Sequence, residues 1–212
     1  MTISFMKACI IGASGRLGTA IVKALFEKNI KPSVLIRNPM KFKLKNLVGK
    51  ITIGLATDIQ SVRDSVNGCD LIFSSLGEKA MWKPFQTLSD SAKVLISVMK
   101  EKQIERWVGI GHGTILDHNE GGLIGDHGLP SVLEQIFIDK KREYEAWLSS
   151  GLKWTLVCPK YMPDGVLTKI YRTKADMLPD DGDSISVEDV GYAMVDIAIN
   201  KQFIQNRVGI GY

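Results

Sequence analysis

The sequence predicts an α/β fold with a doubly wound, mostly parallel β-sheet that carries helices on both faces. Two observations lead to this prediction. Short runs rich in β-branched residues alternate with segments of helical period, which is the pattern of consecutive βαβ units. The first of these runs also leads directly into a turn with three regularly spaced glycines. Since 212 residues, 45% of them hydrophobic and 24% charged, suffice for one substantial core, we expect a single domain over residues 1–212.

Seven short apolar runs are strand candidates. They are Lys7–Ile11, Ser33–Ile36, Ile51–Gly54, Leu71–Ser74, Arg106–Ile110, Lys153–Val157 and Arg207–Ile210. Four segments with apolar residues three and four positions apart are helix candidates. They run from about Leu17 to Leu25, Leu88 to Met99, Ser131 to Ser149 and Val187 to Ile199.

Local signals support the two later helices. The third carries an apolar stripe and ends before Gly151, a typical C-terminal signal. Its stripe consists of Leu133, Ile136, Phe137, Tyr144, Trp147 and Leu148. Ser186 is placed to cap the fourth helix, with Asp189 three residues later. The segments Gly111–Pro130 and Pro159–Pro179 are predicted as loops at the carboxyl edge of the sheet, where open α/β sheets bind ligands.

The strongest local motif is the turn that follows the first strand, which reads GASGRLG from Gly12 to Gly18. Its glycines are spaced Gly-x-x-Gly-x-x-Gly rather than in the dehydrogenase pattern, but their place between a strand and a helix predicts a Rossmann-type dinucleotide site. Glycine permits a tight turn, and the helix N-terminus offers N–H groups to a pyrophosphate. We expect Gly12 and Gly15 to face the phosphates and Gly18 to let the helix pack closely; the alternative is a turn that binds nothing.

The end of the second strand predicts the cofactor. An acidic residue at this position favours NAD, whereas an arginine favours the 2′-phosphate of NADP. Here the strand ends in Arg37, and no carboxylate follows before Asp58. A guanidinium is a bidentate donor suited to phosphate, so NADP is favoured over NAD. The alternative is a solvated surface arginine.

Several further segments carry a resemblance to a known family. They are the glycine turn, Arg37-Asn38-Pro39, Thr57-Asp58-Ile59, Ser74-Ser75-Leu76-Gly77, and the passage from Lys141 to Thr155 that Pro159 follows. With them, the chain resembles the atypical short-chain dehydrogenase/reductases over nearly its whole length. Within that superfamily it is similar to the NAD(P)-binding group that contains flavin reductase/biliverdin-IXβ reductase and the NmrA-type regulators.

The resemblance implies which residues would bind the cofactor. The residues expected at the pyrophosphate, the 2′-phosphate, the adenine, the ribose and the nicotinamide are Gly12, Ser14, Gly15, Arg16, Leu17, Arg37, Asp58, Ile59, Ser75, Leu76, Gly77, Pro159 and Met162. Arg37 would bind the 2′-phosphate, Asp58 and Ile59 would border the adenine, and the segment from Pro159 to Met162 would flank the nicotinamide.

The expected catalytic residues depart from the usual set. Ordinary short-chain dehydrogenases use a serine after the fifth strand and a Tyr-x-x-x-Lys motif on the next helix to protonate a carbonyl oxygen. Here His112 follows that strand, and the helix offers Phe137 and Lys141. His112 is a candidate acid or orienting donor, with a histidine bonded to loop backbone as the alternative. Lys141 keeps the position of the motif's lysine, and Tyr161 is a candidate substrate contact or a rim aromatic.

These residues favour an NADPH-dependent reductase that transfers hydride to a flavin-like or other conjugated acceptor, since such an acceptor spreads charge and takes its proton from solvent. The alternative is a non-catalytic NAD(P) sensor that acts through a protein partner, because both the serine and the tyrosine are lost. An epimerase would need a separate substrate domain that the chain lacks. The expected substrate is a small, planar molecule, which Trp82 could flank, and the expected assembly is a monomer or small homo-oligomer.

Composition argues against other classes of function. The net charge of +4 is spread along the chain, which argues against nucleic acid. The sequence contains no run of membrane-spanning length and begins without a signal-peptide pattern, so a cytoplasmic protein is expected. Cys9, Cys69 and Cys158 match neither a disulfide nor a zinc pattern. The polar set His112, Asp117, His118, Asp126 and His127 matches no ligand template either, so no metal is predicted.

Overall fold

A computed structural model describes residues 6–78 and 84–212 and places eight strands of these residues in one sheet. The strands are β1 (Ala8–Ile11), β2 (Ser33–Ile36), β3 (Lys50–Ile53), β4 (Leu71–Ser74), β5 (Arg106–Ile110), β6 (Lys153–Pro159), β7 (Arg172–Ala175) and β8 (Asn206–Gly211). Their spatial order is β3-β2-β1-β4-β5-β6-β8-β7, and all neighbours pair in parallel except β7 and β8. The order reverses direction between β1 and β4, so a crevice opens at the carboxyl ends of these two strands.

Five helices connect the strands within the described ranges. They are α1 (Arg16–Glu27), α2 (Ile59–Val66), α3 (Thr87–Lys102), α4 (Ser131–Leu148) and α5 (Val187–Ile199). None of the helices in residues 6–78 and 84–212 is long and apolar enough to cross a membrane. The Ser186 side chain accepts a hydrogen bond from the Asp189 N–H and caps α5, as predicted.

Each face of the sheet carries its own core, which confirms the doubly wound prediction. On one face, α1 and α5 pack so closely that a Cβ at Gly191 would lie 2.6 Å from the Cβ of Ala20. On the other, the rings of Trp107 and Trp147 stack with centroids 3.8 Å apart, and Trp154 is buried beside them. These three tryptophans are core residues, whereas Trp82 lies outside the described residues.

One α-helix and one strand of the described residues were not predicted from the sequence. Helix α2 has eight residues and buries only Val62, Ser65 and Val66, which is too short a pattern to show a helical period. Strand β7 lies in the segment predicted as the loop Pro159–Pro179, and all four of its residues are exposed. It forms by antiparallel pairing with β8 at the edge of the sheet, so tertiary pairing rather than hydrophobic patterning determines it.

The inner face of α4 also differs from the predicted apolar stripe. Leu148 is 57% exposed, because it lies at the end of the helix on the solvent side. The buried face instead carries Asp139, Lys140 and Glu143, of which none is more than 4% exposed. Asp139 accepts hydrogen bonds from the backbone N–H groups of Leu88 and Ser89 and thereby caps the start of α3.

The three cysteines are free and buried. The fold brings two of them together, so that the thiol of Cys69 hydrogen-bonds with that of Cys9. Burial raises the pKa of Cys9 well above its ordinary value and raises the pKa of Cys158 to about 12. Both thiols therefore remain protonated near neutral pH.

Candidate functional site

The glycine turn lies at the carboxyl end of β1, in the crevice between β1 and β4. Gly12 has φ of +88°, a conformation that favours glycine, and its N–H donates to the Leu35 carbonyl of β2. A Cβ at Gly18 would lie 2.5 Å from the Gly12 carbonyl oxygen and 2.6 Å from the Ala13 Cα. Gly18 therefore permits α1 to pack directly against the turn, as its spacing predicts.

The start of α1 is suited to an anionic group. Gly15 is the N-cap residue and provides no side chain to cap the helix. The first-turn N–H groups and the positive end of the helix dipole thus face the crevice without a side-chain acceptor. Ser14 is partly buried, Arg16 is exposed on the rim and Leu17 is buried under the helix. This arrangement fits a pyrophosphate.

The neighbouring turn after β4 is bonded directly to the glycine turn. The Ser75 N–H donates to the Ile11 carbonyl at 3.0 Å, and the Ser75 Oγ donates to the Ile11 and Gly12 carbonyls at 3.2 and 3.1 Å. Leu76 is partly buried beside Gly12, whereas Gly77 is exposed, and no atom of the described residues lies within 4 Å of the place that a Cβ at Gly77 would take. The hydrogen bonds of Ser75 thus hold the glycine turn in place.

Arg37 extends from the end of β2 on the same edge of the sheet. It is exposed, and among residues 6–78 and 84–212 it forms neither an ion pair nor a side-chain hydrogen bond. The following residue, Asn38, accepts a hydrogen bond from the Met40 N–H and fixes the short turn after the strand. The guanidinium is therefore available to a ligand.

Asp58 and Ile59 lie at the start of α2, after β3. The Asp58 carboxylate accepts hydrogen bonds from the Ser61 Oγ at 2.6 Å and the Ser61 N–H at 2.8 Å, and these bonds lower its pKa. Ile59 is 38% exposed. Asp58 is thus an N-cap whose carboxylate remains exposed, and Ile59 offers an apolar surface next to it.

His112 follows β5 and is partly buried. Its Nδ1 accepts a hydrogen bond from the Thr114 N–H at 3.3 Å and lies 3.0 Å from the Thr114 Oγ1. Burial, together with the nearby charge of Lys140, lowers the pKa of His112 to about 4. The imidazole is therefore neutral at pH 7, with Nδ1 as an acceptor and its proton on Nε2.

Lys140, which the sequence analysis did not single out, lies beneath the end of β5. Its Nζ donates to the Ile110 carbonyl at 2.6 Å and forms a buried ion pair with the Glu143 carboxylate at 2.7 Å. Burial raises the pKa of Glu143, and Lys140 opposes that shift. A signal for this pair was present in the sequence, since residues 140 and 143 fall on the same helical face as the buried Ile136 and Trp147.

The other two candidate catalytic residues lie at the surface. Lys141 forms an ion pair with Asp126 at 3.0 Å, and the two side chains are 39% and 41% exposed. Phe137 lies next to this lysine, 5.5 Å from its Nζ to the ring centroid. Tyr161 is 65% exposed. The lysine that contacts β5 is therefore Lys140, and Lys141, which holds the place of the motif's lysine, does not contact this strand.

The loop after β6 meets the glycine turn. Pro159 is the buried last residue of β6, and Met162 is partly buried. Arg16 reaches across to this loop, where it pairs with Asp164 at 2.6 Å and donates to the Met162 carbonyl at 3.4 Å. The two segments expected to contact the pyrophosphate and the nicotinamide are thus linked by one exposed arginine.

Residues 111–130 form a folded segment rather than an open loop. Short 3-10 helices lie at Gly113–Ile115 and Ile124–His127, and Asp117 pairs with Leu123 in a β-bridge. Asp117 also forms an ion pair with Arg207 at 2.8 Å. Of the polar set considered for a metal, only His118 and His127 come together, and Glu120 joins them.

Comparisons with known proteins agree with this geometry. The anthocyanidin reductase of Arabidopsis thaliana is 32% identical in an alignment of 117 residues, with coverage of 47% of this chain and 34% of the relative. The chain thus spans about a third of the length of that relative. A candidate exported protein from Burkholderia pseudomallei is 24% identical, with a TM-score of 0.84 and coverage of 98% of this chain and 100% of the other. A candidate NADH-flavin reductase from Streptococcus pneumoniae is 20% identical, with a TM-score of 0.82 and coverage of 98% and 99%.

The two solved structures establish the Rossmann-like fold. The family comparison goes further, because the pattern of the NAD(P)H-binding family matches residues 12–201, which include the glycine turn and all five helices. The predicted resemblance to the atypical short-chain dehydrogenase/reductases agrees with this match. The chain belongs to the family of NAD(P)H-binding proteins.

Proposed function

We propose that this protein is an NADPH-dependent reductase that transfers hydride to a flavin-like or other conjugated small molecule. One observation carries the proposal: an uncapped helix N-terminus, a glycine turn and an unpaired arginine lie along the same edge of the sheet. The first two fit a pyrophosphate, and the third fits a further phosphate.

The preference for NADPH rests on Arg37. Within the part of the chain that the structure describes, no carboxylate pairs with its exposed guanidinium, so it can form two charge-assisted hydrogen bonds with a 2′-phosphate. Gly12, Ser14, Gly15, Arg16 and Leu17 would hold the pyrophosphate. Asp58 and Ile59 would border the adenine, and Ser75, Leu76 and Gly77 would lie under the ribose and nicotinamide, with Pro159 and Met162 on the far side.

The Arg37→Gln variant tests this preference. Hydrogen bonds to charged groups contribute about 1.5–3 kcal/mol, so NADPH should bind roughly 10- to 100-fold more weakly while NADH binding changes little. Lys41→Gln is the matched control, because Lys41 is an exposed cation in the turn that follows. Equal losses for NADPH and NADH, or an equal effect of the control, would exclude a specific contact with the 2′-phosphate.

The proposed acceptor follows from the polar groups near β5. The nicotinamide, once bound, supplies a hydride. A simple ketone would then need a proton on its oxygen, but a neutral His112 with a pKa of about 4 is a poor acid at pH 7. Its Nε2–H can instead orient a conjugated acceptor as a hydrogen-bond donor. Such an acceptor delocalises the added electron pair and takes its proton from water.

Two of the similar proteins support a reductase, since one is an anthocyanidin reductase and the other a candidate NADH-flavin reductase. The direct test is to mix the purified protein with NADPH and FMN, with NADH in a parallel sample, and to follow the nicotinamide absorbance. Oxidation above the protein-free rate is the expected result. Tight NADPH binding in calorimetry without reduction of FMN or other conjugated acceptors would contradict the proposal.

A second candidate is an NAD(P) sensor that acts through a protein partner. It is favoured by the loss of the usual serine and tyrosine and by the engagement of Lys141 with Asp126, which leaves this lysine at the surface. Binding of NADPH without turnover would support this candidate. A change in a partner's binding between NADP and NADPH would then establish it.

The proposal extends to the setting of the protein. The free, buried cysteines fit a reducing compartment such as the cytoplasm. We propose one domain over residues 1–212 that acts on a small molecule, as a monomer or small homo-oligomer, without nucleic acid or membrane as a partner. Gel filtration with light scattering would measure the oligomeric state.

A further inference from the structure

Two histidines from distant positions in residues 111–130 meet face to face. His118 lies on the turn closed by the bridge between Asp117 and Leu123, and His127 ends the following short 3-10 helix. Their ring centroids are 3.9 Å apart, with an angle of 28° between the planes. Glu120 lies on the same turn, and one ligand atom from each of the three side chains falls within 4.8 Å of the others.

The hydrogen bonds of His127 leave one ring nitrogen free. Its Nε2 lies 2.6 Å from the Gly121 carbonyl oxygen, so this nitrogen must carry the proton and donate it. Nδ1 then has an exposed lone pair, and it lies 4.0 Å from the Glu120 Oε2. A ring N–H bonded to a backbone carbonyl is the usual second interaction of a metal-binding histidine, because it fixes the tautomer and the ring orientation.

His118 is held more loosely. Its Nδ1 accepts a hydrogen bond from the Glu120 N–H at 3.3 Å, which is long for such a bond, and a metal ion bound to this lone pair would replace that N–H. The nearby carboxylate of Asp126 is already engaged, because it accepts from Lys141 at 3.0 Å and from the Leu123 N–H at 3.2 Å. The cluster therefore offers two imidazoles and one uncommitted carboxylate.

We propose that His118, Glu120 and His127 bind a divalent transition-metal ion of the zinc class. Two imidazoles and one carboxylate are a donor set that Zn²⁺ accepts, with water as a fourth ligand. Bonds of about 2.0–2.2 Å to zinc place tetrahedral ligands roughly 3.4 Å apart. The three atoms lie within 4.8 Å of one another, so they need to approach by up to about 1.4 Å, and the stacked rings need to turn so that both lone pairs point at the ion. The three side chains are partly or fully exposed, which leaves space for this rearrangement.

Metal binding at this site would cross-link the two ends of the segment 118–127. That segment is joined to α4 by the ion pair between Asp126 and Lys141, and residues 111–130 begin directly after β5. The ion would thus make the conformation of this segment more rigid. None of the three side chains belongs to the proposed nucleotide site, so the metal and cofactor proposals can be tested separately.

Calorimetry of the full chain with ZnCl₂, after removal of any histidine tag and in a weakly coordinating buffer, tests the site. One zinc ion per chain is expected. His118→Ala and His127→Ala should each weaken binding about tenfold or more, and Glu120→Gln should weaken it less. His112→Ala is the matched control, since His112 is the third of the chain's three histidines and lies outside the cluster.

Nitrogen-15 spectra of the unmodified protein provide a measurement that does not depend on folding of the variants. Zinc should shift the imidazole signals of His118 and His127 and leave that of His112 in place. The proposal is wrong if zinc gives no saturable heat, if the double variant His118→Ala/His127→Ala binds zinc as tightly as the parent, or if all three imidazole signals respond equally.

Discussion

Substitution of Gly18 by alanine should impair nucleotide binding more than it impairs folding. The new Cβ would lie 2.5 Å from the Gly12 carbonyl oxygen and 2.6 Å from the Ala13 Cα, both of them backbone atoms. A carbon and an oxygen that are not bonded need well over 3 Å, so the turn must move by about 0.5–1 Å relative to α1. The Gly12–Gly15 segment is the part of the turn that would move.

The two consequences differ in size. Overpacking costs about 1–3 kcal/mol, offset by up to about 1 kcal/mol because alanine favours a helix more than glycine does. A chain of this length loses roughly 2–4 °C of Tm per kcal/mol, so a decrease of up to about 10 °C is expected. Loss of one or two N–H bonds to a charged pyrophosphate, at about 1.5–3 kcal/mol each, should weaken NADPH binding at least tenfold.

Gly191→Ala is the matched control for this experiment. Its Cβ would lie 2.6 Å from the Cβ of Ala20, so it overpacks the other side of α1 and gains the same helix propensity. It does not touch the glycine turn. Calorimetry with NADPH and thermal unfolding should show similar losses of Tm for the two variants but weakened binding only for Gly18→Ala. Unchanged NADPH affinity in Gly18→Ala, or an equal loss in Gly191→Ala, would refute the reasoning.

Three further predictions concern stability, each measured by urea unfolding. Lys140→Met should destabilise the fold by about 3–5 kcal/mol, because Glu143 would remain buried without its partner. The double variant Lys140→Met/Glu143→Leu should recover part of this loss, and an equal loss in both variants would contradict this explanation. Because the pKa of His112 is lowered to about 4 in the folded protein, its neutral form adds to the free energy of unfolding above about pH 6.5, and this contribution is lost as the pH falls towards 4. Between about pH 7.5 and 5, the free energy of unfolding should fall by about 2 kcal/mol, and His112→Gln should abolish this fall. Tyr212→Phe removes a hydroxyl that donates to Asp189 at 2.7 Å and accepts from the Ser186 N–H at 3.0 Å, so a loss of about 1–3 kcal/mol is expected, and no change would show these bonds to be neutral.

Much of the fold follows from local pattern, because six of the eight described strands are mostly buried on both faces and the longer helices are amphipathic. All four predicted helices and all seven predicted strands are present, and the bounds of α5 match the prediction residue for residue. Helix α2 and strand β7 escape such reasoning for a shared reason. Helix α2 buries only two apolar residues, Val62 and Val66, and β7 buries none and depends on its pairing with the distant β8.

Some parts of the candidate sites could likewise be predicted from local sequence, whereas others depend on contacts between separate segments. The glycine turn has a pattern that depends on backbone sterics alone, so its position could be predicted from neighbouring residues. The meeting of His118 with His127 could not, because their spacing resembles no ligand motif and the bridge between Asp117 and Leu123 brings them together. Nothing in the sequence distinguishes Glu120 from other surface carboxylates, and only the structure of the turn brings it to the two histidines.

Helix α4 shows how one position along a helix changes the chemistry that is expected. The side chains of residues 140 and 141 point about 100° apart around the helix axis. The Tyr-x-x-x-Lys motif aligns with Lys141, whose side chain lies on the solvent side of the helix. The structure places Lys140 on the inner side, where its Nζ donates to the Ile110 carbonyl. Burial is the main cause of the lowered pKa of His112, and the charge of Lys140 adds to it. A fixed positive charge beneath the end of β5 disfavours a second one on the imidazole. Hydride transfer at this site would therefore need an acceptor that does not depend on a protonated side chain, which is the physical reason for proposing a conjugated molecule rather than a simple ketone.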